Sequence, residues 1–240
     1  MTLKLKMESN IPVGKDWMFE PGWDFSNDSA REDVVKFINE PEDKKIKVLD
    51  VGCASGRTLR HIRSKFPYSK LYGLEPDAKL AKKARETCEV YNESIEDFIS
   101  DPDYEFEGYF DYILFSDVFE HLLDPWTVCR DIKKFLKDGG HLLCSIPNIA
   151  FVENLYNLLN GRFCYGSKGI VNKAHLRFFT LYEIIDMFET CGYANVEYAM
   201  NTNVELNESL LELIEKLKVL SVDGLTQHYN AYQYIVKGIK

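Results

Sequence analysis

The stretch Lys47-Val48-Leu49-Asp50-Val51-Gly52-Cys53-Ala54-Ser55-Gly56-Arg57 decides how this chain folds. It reads as a buried strand ending near an acid, a turn of small residues, and the first turn of a helix. Small side chains let the backbone approach a ligand closely, and a helix N-terminus offers N–H groups without intrahelical partners. The spacing departs from the dinucleotide pattern G-x-G-x-x-G. Here the small positions are Gly52, Ala54 and Gly56, with Asp50 two residues before the first. A turn like this also joins strand to helix in α/β proteins that bind no nucleotide, so the rest of the chain has to decide its meaning.

Working outward, apolar runs of strand length alternate with helical stretches. Strands are expected at 46–51, 70–75, near Val90, 110–115 and 140–146, with helices at 55–66, 78–87 and 125–136. Alternation of this kind predicts a parallel sheet with right-handed crossovers. Upstream, a helix is expected after Ser26 or Asp28, carrying Val34, Val35, Phe37 and Ile38. The rhythm breaks after Pro147. Residues 148–180 read as an insertion with an amphipathic start and a Gly-rich middle. Then come a helix at 181–190, a strand near Val196, an amphipathic helix at 204–220 and a last strand at 233–236. The expectation is one domain over 1–240, with an N-terminal arm and helix at 1–40 and insertions at 148–180 and 201–228 that cover the active site.

Composition excludes several classes. Of 240 residues, 45% are hydrophobic, enough for a sizeable core, and 28% are charged, as in soluble proteins. A net charge of −9 argues against nucleic acid or an anionic membrane as partner, because both demand clustered cations. No apolar run approaches a membrane span, and six scattered cysteines without a C-x-x-C pair read as small buried hydrophobes. A cytoplasmic monomer or homodimer acting on a small molecule is expected.

The string D-x-G-x-A-x-G resembles the nucleotide loop of class I S-adenosylmethionine (SAM)-dependent methyltransferases, and further motifs follow in order. Tyr72-Gly73-Leu74-Glu75-Pro76-Asp77 puts an acid 19 residues beyond Gly56. Asp117-Val118-Phe119-Glu120-His121-Leu122 with Asp124-Pro125-Trp126, and Leu136-Lys137-Asp138-Gly139-Gly140-His141-Leu142, are similar to the ubiquinone-biosynthesis branch of that class. Ser145-Ile146-Pro147-Asn148, Gly161-Arg162-Phe163 and His175-Leu176-Arg177-Phe178-Phe179-Thr180 are similar to a bacterial subgroup linked to sugar and surface-polysaccharide modification. That subgroup usually has Asp where this chain has Cys164.

The resemblance implies a Rossmann-like α/β sheet of seven strands, mostly parallel with the last antiparallel, and helices on both faces. It also implies SAM as cofactor and S-adenosylhomocysteine as product. The cofactor would be held by Asp50, Gly52, Cys53, Ala54, Gly56, Glu75, Pro76, Asp77, Ser94, Ile95, Ser116, Asp117 and His121. A carboxylate at Glu75 can accept both ribose hydroxyls, while Asp77 also suits a cap for the next helix. Ser94 and Ile95 take the adenine positions, Ser94 standing where the family usually has Asp.

Methyl transfer from a sulfonium needs orientation and desolvation more than a dedicated catalyst. An alcohol acceptor must still lose a proton, which makes His121 and His175 the candidate bases. His121 is also read as a residue that orients the cofactor. No metal is called for. Residues 149–180 carry Arg162, Lys168, Lys173 and Arg177 against Glu153 alone, a net of +3 in an acidic chain. That points to an anionic acceptor, such as a phosphate- or carboxylate-bearing sugar, contacted by Arg162, His175 and Arg177. Trp17 and Trp23, in an arm dense in aromatics, are expected to close over the bound molecules. The function read from all this is O-methylation of a small polar or anionic metabolite. The alternatives are a SAM-binding scaffold or regulator and a nicotinamide-dependent oxidoreductase, which the Gly52/Gly56 spacing disfavours.

Overall fold

In the computed structural model, residues 29–221 and 224–240 are described. Seven strands form one sheet: β1 (Lys47–Val51), β2 (Lys70–Leu74), β3 (Glu89–Tyr91), β4 (Phe110–Ser116), β5 (Leu136–Pro147), β6 (Ala194–Asn201) and β7 (Gln233–Ile239). Their spatial order is β3-β2-β1-β4-β5-β7-β6. The pairings from β3 to β5 are parallel, and β7 runs antiparallel to both β5 and β6. The order reverses between β1 and β4, where doubly wound sheets open a crevice at the strands' carboxyl ends.

Alternation along the strands divides the core into two layers. On one face Leu49, Val51, Ile113, Phe115 and Cys144 pack with α4 (Ile95–Ser100), α5 (Pro125–Ile132) and α7 (Leu181–Thr190). On the other, Val48, Leu114, Leu143 and Ile235 meet α1 (Glu32–Val35), α2 (Arg57–Lys65) and α3 (Ala78–Ala84). Asp50 shares the face of Val48, so its carboxyl lies under the nucleotide loop rather than in solvent.

The helices start where polar caps demand. Asp77 accepts the Lys79 and Leu80 N–H groups, Ser94 that of Asp97, and Asp124 that of Thr127 ahead of Pro125 at the first helical position. The amphipathic stretches after Pro147 become α6 (Val152–Leu159) and α8 (Glu208–Leu217). These two pack together over Phe151, Val152, Ile170 and Leu210 in a small core of their own. Asn148, fully buried, pins that layer to the sheet by donating to the carbonyls of His228 and Ala231 at 3.0 and 2.8 Å. Among the described residues, no helix is long and apolar enough to cross a membrane.

Candidate active site at the carboxyl ends of β1, β2 and β4

The nucleotide loop takes its shape from three left-handed residues: Gly52 (φ 69°), Ala54 (φ 46°) and Gly56 (φ 77°). At Gly52 a Cβ would stand 2.8 Å from the Val118 side chain, and at Gly56 it would press on Ala84 at 3.1 Å. Both positions therefore need glycine for space as well as for backbone angle. Cys53 is buried beneath the loop, and its thiol sits far above its usual pKa, first through burial and then through Asp50. It is a packing residue.

Glu75 follows β2 immediately and is buried, with 6% of its surface exposed. One carboxylate oxygen accepts the Ala54 N–H at 2.9 Å and the other the Asp77 N–H at 2.9 Å. These bonds aim the carboxylate across the loop. Asp50 is buried close by, and burial together with the Glu75 charge pushes its carboxyl up to about 7 against the pull of Arg31.

Other predicted cofactor residues are engaged locally. The Asp77 side chain caps α3 and Ser94 caps α4, with Ser94 Oγ also donating to Asp97 at 2.8 Å. Ile95 is buried in the core. Pro76 sits in a turn latched by Asn92, whose amide donates to the carbonyls of Glu75 and Pro76 at 2.8 and 3.0 Å. Asn92 ties the end of β3 to the end of β2, a role not assigned from sequence.

At the ends of β4 and β5 a polar network replaces apolar packing. Asp117, itself left-handed at φ 58°, takes hydrogen bonds from Arg31, Gln233 and the Ser145 hydroxyl. Arg31 also donates to Ser145 Oγ at 2.8 Å, to Gln233 Oε1 at 2.9 Å and to both oxygens of Asp33. Burial works against the Arg31 charge, but Asp117 and Asp33 outweigh it and its pKa lies above the ordinary value. Ser116 Oγ is buried and has no hydrogen-bond partner among the described residues. That orphaned hydroxyl lies where the crevice opens. Arg31 and Gln233 are site residues that sequence reading missed.

The second half of the site is a pair of histidines. His121 closes a short 3-10 turn after β4, and His175 comes from the 148–180 segment. Their rings meet edge to face with centroids 4.8 Å apart. His121 Nδ1 lies 3.1 Å from the Ala174 carbonyl and His175 Nδ1 lies 2.8 Å from the Ile170 carbonyl. A carbonyl only accepts, so each Nδ1 carries the proton and each Nε2 carries the lone pair. Burial lowers both pKa values, and His121 lowers that of His175 further. Both imidazoles are neutral near pH 7, the form a base requires.

Beneath them lies Glu120, 1% exposed, with neither carboxylate oxygen hydrogen-bonded among the described residues. Burial first and Asp117 second raise its pKa well above the carboxylate range, so it is held neutral. Glu120, His121 and His175 each place one ligand atom within 4.8 Å of the others. A four-coordinate metal at about 2.0–2.1 Å would hold its ligands about 3–3.5 Å apart, so a divalent cation bound here would have to draw the three inward.

The two arginines expected on the acceptor side lie in different surroundings. Arg177 was expected to anchor an anion, but its guanidinium donates to the carbonyls of Leu123 and Leu176, and its N–H joins that of Leu176 on the Glu120 carbonyl. It fastens the 148–180 segment to the turn after β4. Arg162 lines a cavity together with Asn154, Asn157 and Ile170. Trp17 and Trp23 lie outside the described residues.

Comparison with known proteins places this geometry in a family. The methyltransferase-domain family matches residues 26–198. A ubiquinone biosynthesis O-methyltransferase of Marinobacter nauticus is 31% identical over 115 residues, covering 42% of this chain and 44% of that protein. An uncharacterized methyltransferase of Schizosaccharomyces pombe is 26% identical over 120 residues, 46% of this chain and 42% of that one. The match thus spans less than half the length of these curated relatives. Among solved structures, a SAM-dependent methyltransferase from Archaeoglobus fulgidus superposes with a TM-score of 0.61 at 14% identity, over 87% of this chain and 92% of that one. Phosphoethanolamine N-methyltransferase 2 of Haemonchus contortus, in complex with SAM, gives 0.58 at 16% identity, over 87% and 51%. Likeness at that identity speaks for the fold, and the family match over most of the sequence speaks for descent. The chain belongs to the methyltransferase-domain family, among the class I SAM-dependent methyltransferases.

Proposed function

We propose that this chain transfers a methyl group from SAM to an oxygen of a small polar acceptor, with His175 as the base. Bound SAM supplies an electrophilic methyl on a sulfonium with a good leaving group. Gly52 to Gly56 would hold the amino-acid and ribose portions against the backbone, and Glu75 would accept the ribose hydroxyls. Asp117 and Ser116 face the amino-acid end.

His175 Nε2 would take the acceptor's hydroxyl proton, and His121 would hold the neighbouring ring edge in place. The observation that carries this reading is the doubly pinned imidazole pair. Two neutral histidines with ring centroids 4.8 Å apart, each with its Nδ1–H committed to a backbone carbonyl, suit a hydroxyl more than a substrate already deprotonated. Six free cysteines fit a reducing cytoplasm as its place of work.

The test is incubation with methyl-labelled SAM and fractionated cell metabolites, followed by identification of whatever gains the label. Label on an oxygen of a small molecule supports the reading. Label on nitrogen or carbon only overturns the O-methylation, and SAM binding without turnover on any fraction favours a scaffold or regulator.

A further inference from the structure

Two of the six free cysteines meet away from both the nucleotide loop and the histidine pair. Cys129 lies on α5, fully buried, and Cys191, half-buried, is the C-cap of α7. Their side chains are hydrogen-bonded to each other, with the Cys129 thiol donating and the Cys191 sulfur accepting. Three further bonds bracket this contact. The Cys191 thiol reaches the Trp126 carbonyl, one turn before Cys129, at 3.4 Å. Tyr193 Oη donates to the Cys129 carbonyl at 3.0 Å. Lys133 Nζ donates to the carbonyls of Cys191, at 3.4 Å, and Gly192. The end of α7 is thus docked on α5 by backbone acceptors on both sides of the sulfur pair.

The two sulfurs are chemically unlike. The hydrogen bond from Cys129, then the charges of Arg130 and Lys133, lower the pKa of Cys191 against its burial. Burial first, and the same hydrogen bond second, raise that of Cys129 well above the usual thiol range. Cys53, Cys88 and Cys144 are all raised, each first by burial. A thiolate-prone sulfur at a half-buried position, touching a protonated partner, is the arrangement of an attacking and a resolving thiol.

We propose that Cys129 and Cys191 form a modification site for hydrogen peroxide, closing reversibly to a disulfide that joins α5 to the end of α7. The Cys191 thiolate attacks one peroxide oxygen and the O–O bond breaks. Cys191 becomes a sulfenic acid, and the departing hydroxide takes up the proton that Cys191 had lost, leaving as water. The Cys129 sulfur then attacks the Cys191 sulfur, and the expelled hydroxyl leaves with the Cys129 proton as a second water. The two sulfurs together lose two electrons, which the peroxide gains. A dithiol reductant reverses the bond by thiol–disulfide exchange. Because α5 follows the turn of His121 and α7 follows the segment of His175, the disulfide ties the two helices that leave the histidine pair. The inference does not depend on the transfer reaction.

The test treats the full chain with stoichiometric hydrogen peroxide, blocks remaining thiols with iodoacetamide, digests without reductant and maps the peptides by mass spectrometry. Peptides joined through Cys129 and Cys191 should exceed any other pairing by about tenfold or more, since the fold holds these sulfurs together. Dithiothreitol should release them, and in the urea-unfolded chain the preference should vanish. Cys129→Ser, which keeps Cys191, should leave a sulfenic acid on Cys191 that dimedone captures. Cys129 is buried, so a poorly folded Cys129→Ser leaves the decision to the parent map and to Cys191→Ala, in which Cys129 should stay reduced. Oxidation confined to the exposed Cys164, a Cys129–Cys144 disulfide in place of Cys129–Cys191, or the same preference in urea would each overturn the pair. So would a Cys191→Ala chain in which Cys129 is oxidised as fast as in the parent.

Discussion

Asp50 gives the sharpest test of the electrostatics drawn here. Burial and the Glu75 charge put its folded-state pKa at about 7, against 3.8 for an exposed aspartate. Between those two values the folded protein keeps a proton that the unfolded chain has lost, so stability falls as pH rises through the window. Each pKa unit corresponds to about 1.36 kcal/mol. From pH 5 to pH 8 the Asp50 contribution should therefore shrink by about 2–3 kcal/mol. Asp50→Asn preserves the shape of the neutral acid and removes the titration. Urea unfolding of both proteins at pH 5, 6.5 and 8 should show the variant gaining about 2–3 kcal/mol on the parent across that range. A stability difference that does not move with pH refutes the raised pKa. Cofactor binding probes the same group in reverse. The sulfonium and ammonium of SAM favour ionised Asp50, so binding at pH 7 should release about half a proton, read calorimetrically from the dependence of heat on buffer ionisation. S-adenosylhomocysteine, lacking the sulfonium, should release less.

Glu75→Gln should weaken SAM binding by about 1.5–3 kcal/mol, measured by calorimetry. It should also lower Tm, since one amide NH2 then faces the Ala54 or Asp77 N–H instead of accepting it. Arg31→Met removes the centre of the Asp117–Ser145–Gln233 network. Because Asp117 is 43% exposed and can be rehydrated, the expected cost is only about 1–2 kcal/mol, a Tm drop of about 2–8 °C by scanning calorimetry. His175→Ala should reduce kcat roughly 100-fold with cofactor affinity intact, whereas His121→Ala should disturb both. Because both histidine pKa values are depressed, the acid limb of kcat/KM should fall below pH 6.5; a limb above it would mean the base lies elsewhere.

The legible parts of this protein are those whose reasons are local. The strand, turn and helix of 47–57 announce themselves through apolar periodicity and small residues at left-handed positions. Glu75 is legible because a strand end followed by Pro76 and Asp77 fixes where its carboxylate must stand. The last strand is legible as antiparallel, yet β7 lies inside the hairpin with β6 outermost, because Tyr234, Ile235 and Val236 are buried on both faces and need a neighbour on each side. Arg31 was not legible. Its partners are 86, 114 and 202 residues away in sequence, and nothing in its own neighbourhood marks it as more than a surface cation. For Arg177 a charge count could not show the local bonding: its guanidinium donates to the carbonyls of Leu123 and Leu176.

Those carbonyls explain how a loop-rich segment can hold the two imidazoles at fixed angles. The Glu120 carbonyl accepts two successive N–H groups, from Leu176 and Arg177, at 2.7 and 3.1 Å. One turn after β4 therefore forms the crevice wall, supplies His121 and anchors the strand of chain that carries His175. The ring orientations are then set by Ala174 O and Ile170 O, atoms that no side-chain substitution removes. Close by, burial first and Asp117 second raise the pKa of the Glu120 carboxyl well above its ordinary value. The segment 116–123 thus joins Ser116 and Asp117 to His121 and, through the Glu120 carbonyl, to the stretch of chain that carries His175. The backbone of that turn, more than any one side chain, couples the two halves of the site.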